Sequence, residues 1–192
     1  METMKIEQKG TKSMSTKDIE KMGTEAFIDK IKTLLGNDYD LDDIRNKGQK
    51  ATNLGCDLIL TVHGKEYFIE LKTSKKSKLP PNIRFTHQTL SKMHNNNILK
   101  DMIVVFVYNL ENGKENAKFI FHKFGDIDAK NIIVEPHFII RSKHILAQVI
   151  PNDDSFRSEL ENVICSTPKA NETNYREIFD KKVNEWMSLK KG

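Results

Sequence analysis

Apolar and polar positions alternate with different periods along this chain, and each change of period marks an element. Between Ser15 and Gly36, residues Ile19, Met22, Ala26, Phe27, Ile31 and Leu34 recur at helical spacing. Ser15 and Asp18 resemble a capping box, with Asp in place of the usual Glu or Gln, and Gly36 suits a C-cap. Gly23 weakens the middle, so two helices stand as an alternative to one. Residues 37–53 read as polar loop. An apolar hairpin follows, with strands over Asp57–His63 and Glu66–Lys72. Lysines and the Pro80–Pro81 break come next, then a short extended piece at Asn82–Phe85 and a helix capped by Thr86. "DMIVVFVYNL" is a nearly continuous apolar strand of the kind buried on both faces. "ENGKEN" is a turn and "AKFIFHKFGD" an alternating strand. "NIIVEPHFII" and "HILAQVI" carry further β signals, and two helical patterns close the chain. In the second of these, Tyr175, Phe179, Val183 and Trp186 recur at helical spacing, which suits docking on the body or on a second subunit. Strands mixed with flanking helices predict an α/β fold built on a central mixed sheet.

The 192 residues suit one domain over 15–192, behind a polar tail at 1–14 expected to be disordered. Its core is expected over about 20–125, with C-terminal strands and helices at 126–192. At 38% apolar and 30% charged, the chain is polar but can still bury a core. Lys plus Arg exceeds Asp plus Glu by 31 to 27, so the charge of +4 permits a polyanionic partner without demanding one. Two cysteines without metal-ligand spacing, no signal-like segment and no long apolar run predict a soluble, reduced, cytoplasmic protein without a membrane span.

The hairpin carries the chemistry. A two-residue Gly64–Lys65 loop of type II′ would set His63 opposite Glu66, Ile59 opposite Glu70 and Asp57 opposite Lys72. Asp57, Glu70 and Lys72 then share one sheet face. Leu58, Leu60, Val62, Tyr67, Ile69 and Leu71 share the other. Two carboxylates this close repel, and a divalent cation with a taste for oxygen, Mg2+ or Mn2+, relieves that repulsion. Such an ion supplies an attacking water at neutral pH, and a neighbouring lysine stabilises charge in the transition state. Without a family pattern, the plainer reading is an exposed cross-strand ion pair of Asp57 and Lys72, worth under about 1 kcal/mol.

"GCD" before an apolar strand, a turn and then "YFIELK" resembles the PD-(D/E)xK nuclease superfamily, with its restriction-endonuclease-like fold. Asp57 matches the first acidic position and Glu70-Leu71-Lys72 the ExK element. Cys56 stands where a proline often precedes the Asp. The helix before the hairpin is similar to one that carries a further glutamate. Glu25 is the match there, with Glu20, nearer the apolar stripe, as the alternative. "KKSKLPPNIRFTHQTLSKM" resembles the basic loop and the helix opened by a Gln, here Gln88. The resemblance spans about residues 20–125. It implies a Mg2+- or Mn2+-dependent DNA endonuclease, commonly a homodimer, that leaves a 5′-phosphate and a 3′-hydroxyl. Asp57 and Glu70 would hold metal, and Lys72 would position or activate the water. Glu25 would complete the metal's surroundings. Gln88, Lys75, Lys76 and Arg84 would hold the strand, with Lys78 beside them. The alternatives are a non-catalytic nucleic-acid-binding module of the same fold, and a structural protein whose hairpin charges are only surface pairs. His87 and His94 read as surface histidines, Trp186 as a packing anchor, and Cys56 as a small core residue.

Overall fold

The computed structural model describes residues 14–45, 54–135, 137–144, 153–168 and 172–190. The tail expected over 1–14 lies outside these, apart from Met14, and so does the strand expected at "HILAQVI", apart from His144.

Helix α1, Thr16–Leu35, is a single helix. Ser15 caps it through the reciprocal Ser15–Asp18 pair, so Asp does serve in the capping box. It runs straight through Gly23 for a packing reason. A Cβ on Gly23 would collide with the Thr73 methyl and crowd Leu110, so the missing side chain lets α1 lie against the end of the hairpin's second strand. Beyond Gly36, part of the segment read as loop is a strand, β1 at Tyr39–Asp43. Its acidic residues hid the signal, because an edge strand with one half-exposed face needs few apolar side chains. Ile44, just past it, is fully buried.

Strands β2 (Leu58–Val62) and β3 (Lys65–Thr73) form the expected hairpin with a corrected turn. Val62 pairs with Lys65, so the loop is His63–Gly64 rather than Gly64–Lys65. Both loop residues have positive φ, 49° and 77°, as a type I′ turn requires. After β4 (Asn82–Phe85) and helix α2 (His87–Asn95) come β5 (Ile103–Tyr108) and β6 (Lys118–Lys123). The central sheet has the order β1-β2-β3-β5-β6. The β3–β5 pair is parallel and the others are antiparallel, which makes the sheet mixed. Strands β7 (Ile132–Val134) and β8 (Phe138–Arg141) join β4 in a second, three-stranded sheet. Helices α3 (Asp153–Cys165) and α4 (Glu172–Leu189) follow.

Both faces of the central sheet are covered. On one side Phe27 of α1 and Phe156 of α3 pack with Phe119 and Phe121, over Leu58, Leu60, Ile69 and Val105. On the other, Ile59, Val104 and Phe106 meet α2, the small sheet and α4. Each face is a row of alternate residues, so a strand buried on both sides reads as continuously apolar, as β5 does. Trp186 is an anchor: its ring stacks on His87 at 3.5 Å between centroids, while His94 Nε2 lies 2.6 Å from an Asp180 carboxylate oxygen. The two histidines read as surface groups therefore fasten α4 to α2. The central mixed sheet flanked by helices is the architecture expected from the sequence. No helix among the described residues is long and apolar enough to cross a membrane.

Candidate active site

The site begins where the hairpin opens. Gly55 has φ +79°, and a Cβ there would sit 3.1 Å from both the Thr89 carbonyl oxygen and the Lys92 Cβ. Glycine thus lets the chain turn into β2 while pressed against α2. Cys56 is buried, and Asp57 follows just before the strand. The Asp57 N–H donates to the Ile69 carbonyl at 2.9 Å, just beyond the last regular pair, Leu58–Ile69. The corrected register brings Asp57 beside Glu70 rather than opposite Lys72. The turn moved by one residue, which shifts the partner of every position by two and so leaves every side chain on its expected face. The three residues remain together, because the Leu71 N–H, between Glu70 and Lys72, reaches the Asp57 carboxylate.

Each charged group is held by specific partners. Leu71 N–H donates to Asp57 Oδ2 at 2.8 Å. Lys72 Nζ donates to Glu70 Oε1 at 2.6 Å and lies 4.6 Å from the centre of the Phe85 ring. Glu70 is only 5% exposed, so the surface-pair reading does not describe it. Burial pushes the Glu70 carboxyl up to about 7; Lys72 opposes the rise and Asp57 adds to it. Burial also raises Asp57, against the Leu71 N–H and the charges of Lys72 and Arg45. The Cys56 thiol is pushed up to about 12, first by burial and then by the two carboxylates, which leaves it an unreactive core group.

A cavity of about 1000 Å³ opens over the pair. Glu20 and Thr24 of α1 line one wall, and Lys75, Lys76, Lys78 and Arg84 line the rim. The basic loop is tied down by its backbone. Ser74 N–H donates to Val107 O at 2.8 Å, while Lys75 and Lys76 carbonyls accept from Glu111 and Asn109, each at 2.9 Å. Its lysine side chains remain exposed. Arg45 reaches the same cavity. Its guanidinium forks onto Asp43 at 2.9 and 2.5 Å and donates to Thr24 Oγ1 at 2.6 Å.

The donor chemistry fits a hard divalent cation. Two desolvated carboxyls lie within hydrogen-bond reach of each other, one also accepting from the Leu71 N–H and the other from Lys72. Among the described residues no group of three or more His, Cys, Asp or Glu side chains comes together around one point. Two oxygen ligands with water in the remaining positions is how Mg2+ is commonly bound.

The structure thus brings Asp57, Glu70, Lys72, Lys75, Lys76 and Arg84 to one cavity. Gln88 is exposed and lines a smaller cleft on the far side of Asp57. Glu25 is not brought to either: it is exposed, 4.0 Å from Lys21. Glu20 is the α1 acid on the cavity wall. The helical stripe points to Glu20, since Glu20, Gly23, Thr24 and Phe27 share the sheet-facing side. Reading the sequence missed Arg45, because it was assigned to a loop that is partly strand.

No family model matches the chain, and no curated protein matches it. Among solved structures, it is similar to Hjc, a Holliday junction resolvase from the archaeal hyperthermophile Archaeoglobus fulgidus. The likeness covers 63% of this chain and 89% of that one, at 12% identity and a TM-score of 0.40.

Proposed function

We propose that this protein is a metal-dependent nuclease that hydrolyses phosphodiester bonds in DNA at the Asp57–Glu70–Lys72 site. The observation that carries the reading is the buried carboxylate pair. Two buried carboxylates beside a single lysine are short of positive charge once both are ionised, and a divalent cation would supply it. The pair opens into a cavity rimmed by Lys75, Lys76, Lys78 and Arg84, whose charge suits a phosphate backbone.

Asp57 and Glu70 would hold Mg2+ or Mn2+, which when bound polarises a phosphoryl oxygen and makes a water acidic enough to attack at neutral pH. Lys72, fixed by Glu70 and the Phe85 ring, places its ammonium beside the carboxylates. There it orients the attacking water and stabilises the charge that gathers on the phosphoryl oxygens. Glu20 adds a third carboxylate to the cavity and takes the place given to Glu25 from sequence. Water oxygen bonds to phosphorus as the bond to the 3′ oxygen breaks. That oxygen takes a proton, leaving a 5′-phosphate and a 3′-hydroxyl. A two-fold dimer, each copy cutting one strand, belongs to the same proposal.

The test is incubation with supercoiled plasmid and synthetic branched DNA in Mg2+, in Mn2+ and in chelator, for wild type, Glu70→Ala and Lys72→Ala. Metal-dependent cutting lost in both variants is expected. Binding without cutting in the wild type would instead identify a non-catalytic module.

A further inference from the structure

Asp57 stands between two clefts. The smaller, about 300 Å³, lies on the α2 side and shares Asp57 and Arg45 with the main cavity. Its floor exists because residue 55 is glycine, which lets α2 approach the start of β2. That approach brings Gln88 and Lys92, one helical turn apart on the same face of α2, to the cleft. Lys92 is half-buried, and among the described residues no carboxylate pairs with its ammonium. The bonds from Arg45 to Asp43 and Thr24 use three of its five N–H groups, so it is held rigidly with donors to spare. The cleft therefore sets Lys92, an amide and Arg45, the last already paired with Asp43, beside one carboxylate, Asp57, whose Oδ2 accepts the Leu71 N–H. Such donors suit an oxyanion, and none of the basic-loop lysines lines this cleft.

We propose that the small cleft, through Arg45, Gln88 and Lys92, holds the phosphate next to the one that is cut, so that the strand crosses Asp57 between the basic loop and α2. The inference rests on the nuclease reading and adds the path of the substrate. A strand held on both sides of the carboxylate pair cannot slide, and its scissile phosphate is fixed along the chain direction.

The experiment uses DNA strands in which one phosphate at a time, stepping outward from the cut, is replaced by a neutral methylphosphonate. Cleavage and binding by anisotropy are measured for wild type and Lys92→Met, with melting temperatures to confirm that the variant folds. In wild type, neutralising one phosphate adjacent to the cut is expected to reduce kcat/KM about tenfold, the loss of one charge-assisted contact. In Lys92→Met the same replacement should cost less than twofold, because its partner is gone. The salt dependence of binding by Lys92→Met should be shallower by about 0.7 to 0.9 in log–log slope. Penalties that multiply independently, with wild-type cutting intact, would overturn the cleft assignment alone. Wild type that binds DNA but does not cut, and still shows the coupled penalty in binding, would overturn the nuclease reading and leave the cleft standing. Failure to bind DNA at all would overturn both.

Discussion

Two charged side chains lie equally deep in this molecule, Lys123 and Glu70, each 5% exposed, and they are treated in opposite ways. Lys123, at the end of β6, donates to the Ile164 and Ser166 carbonyls where α3 ends. A cation there meets carbonyls that the helix leaves without partners, so both sides are satisfied. Glu70 has one cation, Lys72, and a second carboxylate, Asp57, beside it. The first arrangement is complete as it stands; the second is short of positive charge. Burial alone does not mark a functional group. A buried charge whose surroundings leave its charge unbalanced, at the wall of a cavity, does.

The comparison can be broken by exchanging the consequences of the two residues. Glu70→Gln is expected to lower the Mg2+-dependent cleavage rate by about 10³-fold, the scale of removing a group that acts on transition-state charge. Its metal-free melting temperature at pH 8 should be no lower than that of wild type. A large loss of stability with cleavage retained would put Glu70 in the same class as Lys123.

The next effect is on pH. The folded carboxyl of Glu70 is raised from its ordinary 4.5 to about 7, so the folded state keeps the proton longer than the unfolded state. Its contribution is fully present below about pH 4.5 and is lost as pH rises toward 7. In chelator the fold should lose about 3 kcal/mol over that window. Urea titrations of wild type and Glu70→Gln across the window check this, since the variant should keep only the smaller slope left by Asp57. Added Mg2+ should restore stability most at the high-pH end.

Lys123→Met should cost about 2 kcal/mol in urea unfolding by leaving the α3 carbonyls without their charged donor. Its cleavage rate per folded molecule should stay within twofold of wild type. Smallest is the contrast on α1. Glu20→Gln is expected to slow cleavage about tenfold, the size of a lost contact near the reacting group, whereas Glu25→Gln should leave it within twofold. Equal effects would remove Glu20 from the site.

Reading the chain alone found most elements because their periods were clean: the α1 stripe, the continuous β5 run and the Thr86 cap. It also found the face shared by Asp57, Glu70 and Lys72, since alternation survives an error in the turn. What it missed lies where side chains do not reveal their surroundings. β1 carries four polar or aromatic residues in five and is held by its pairing with β2, a long-range fact. Losing β1 meant losing Arg45, which its end positions. Gly23 reads as a helix-weakening residue until Thr73 is seen against it. The choice between Glu20 and Glu25 was legible in part: Glu20 lies nearer the apolar stripe that turns toward the sheet, and the family resemblance drew the assignment to Glu25 instead.

The His63–Gly64 turn lies about 16 Å along β3 from Glu70, at the exposed far end of the hairpin. The ladder between it and the site is closed by five backbone pairs, Val62–Lys65 through Leu58–Ile69. A replacement of those two residues that keeps the Val62–Lys65 pair closed leaves the pairing behind it unchanged. The turn is therefore a natural graft point: an inserted epitope, dye or tether would ride on the protein without altering the distance between its two carboxylates.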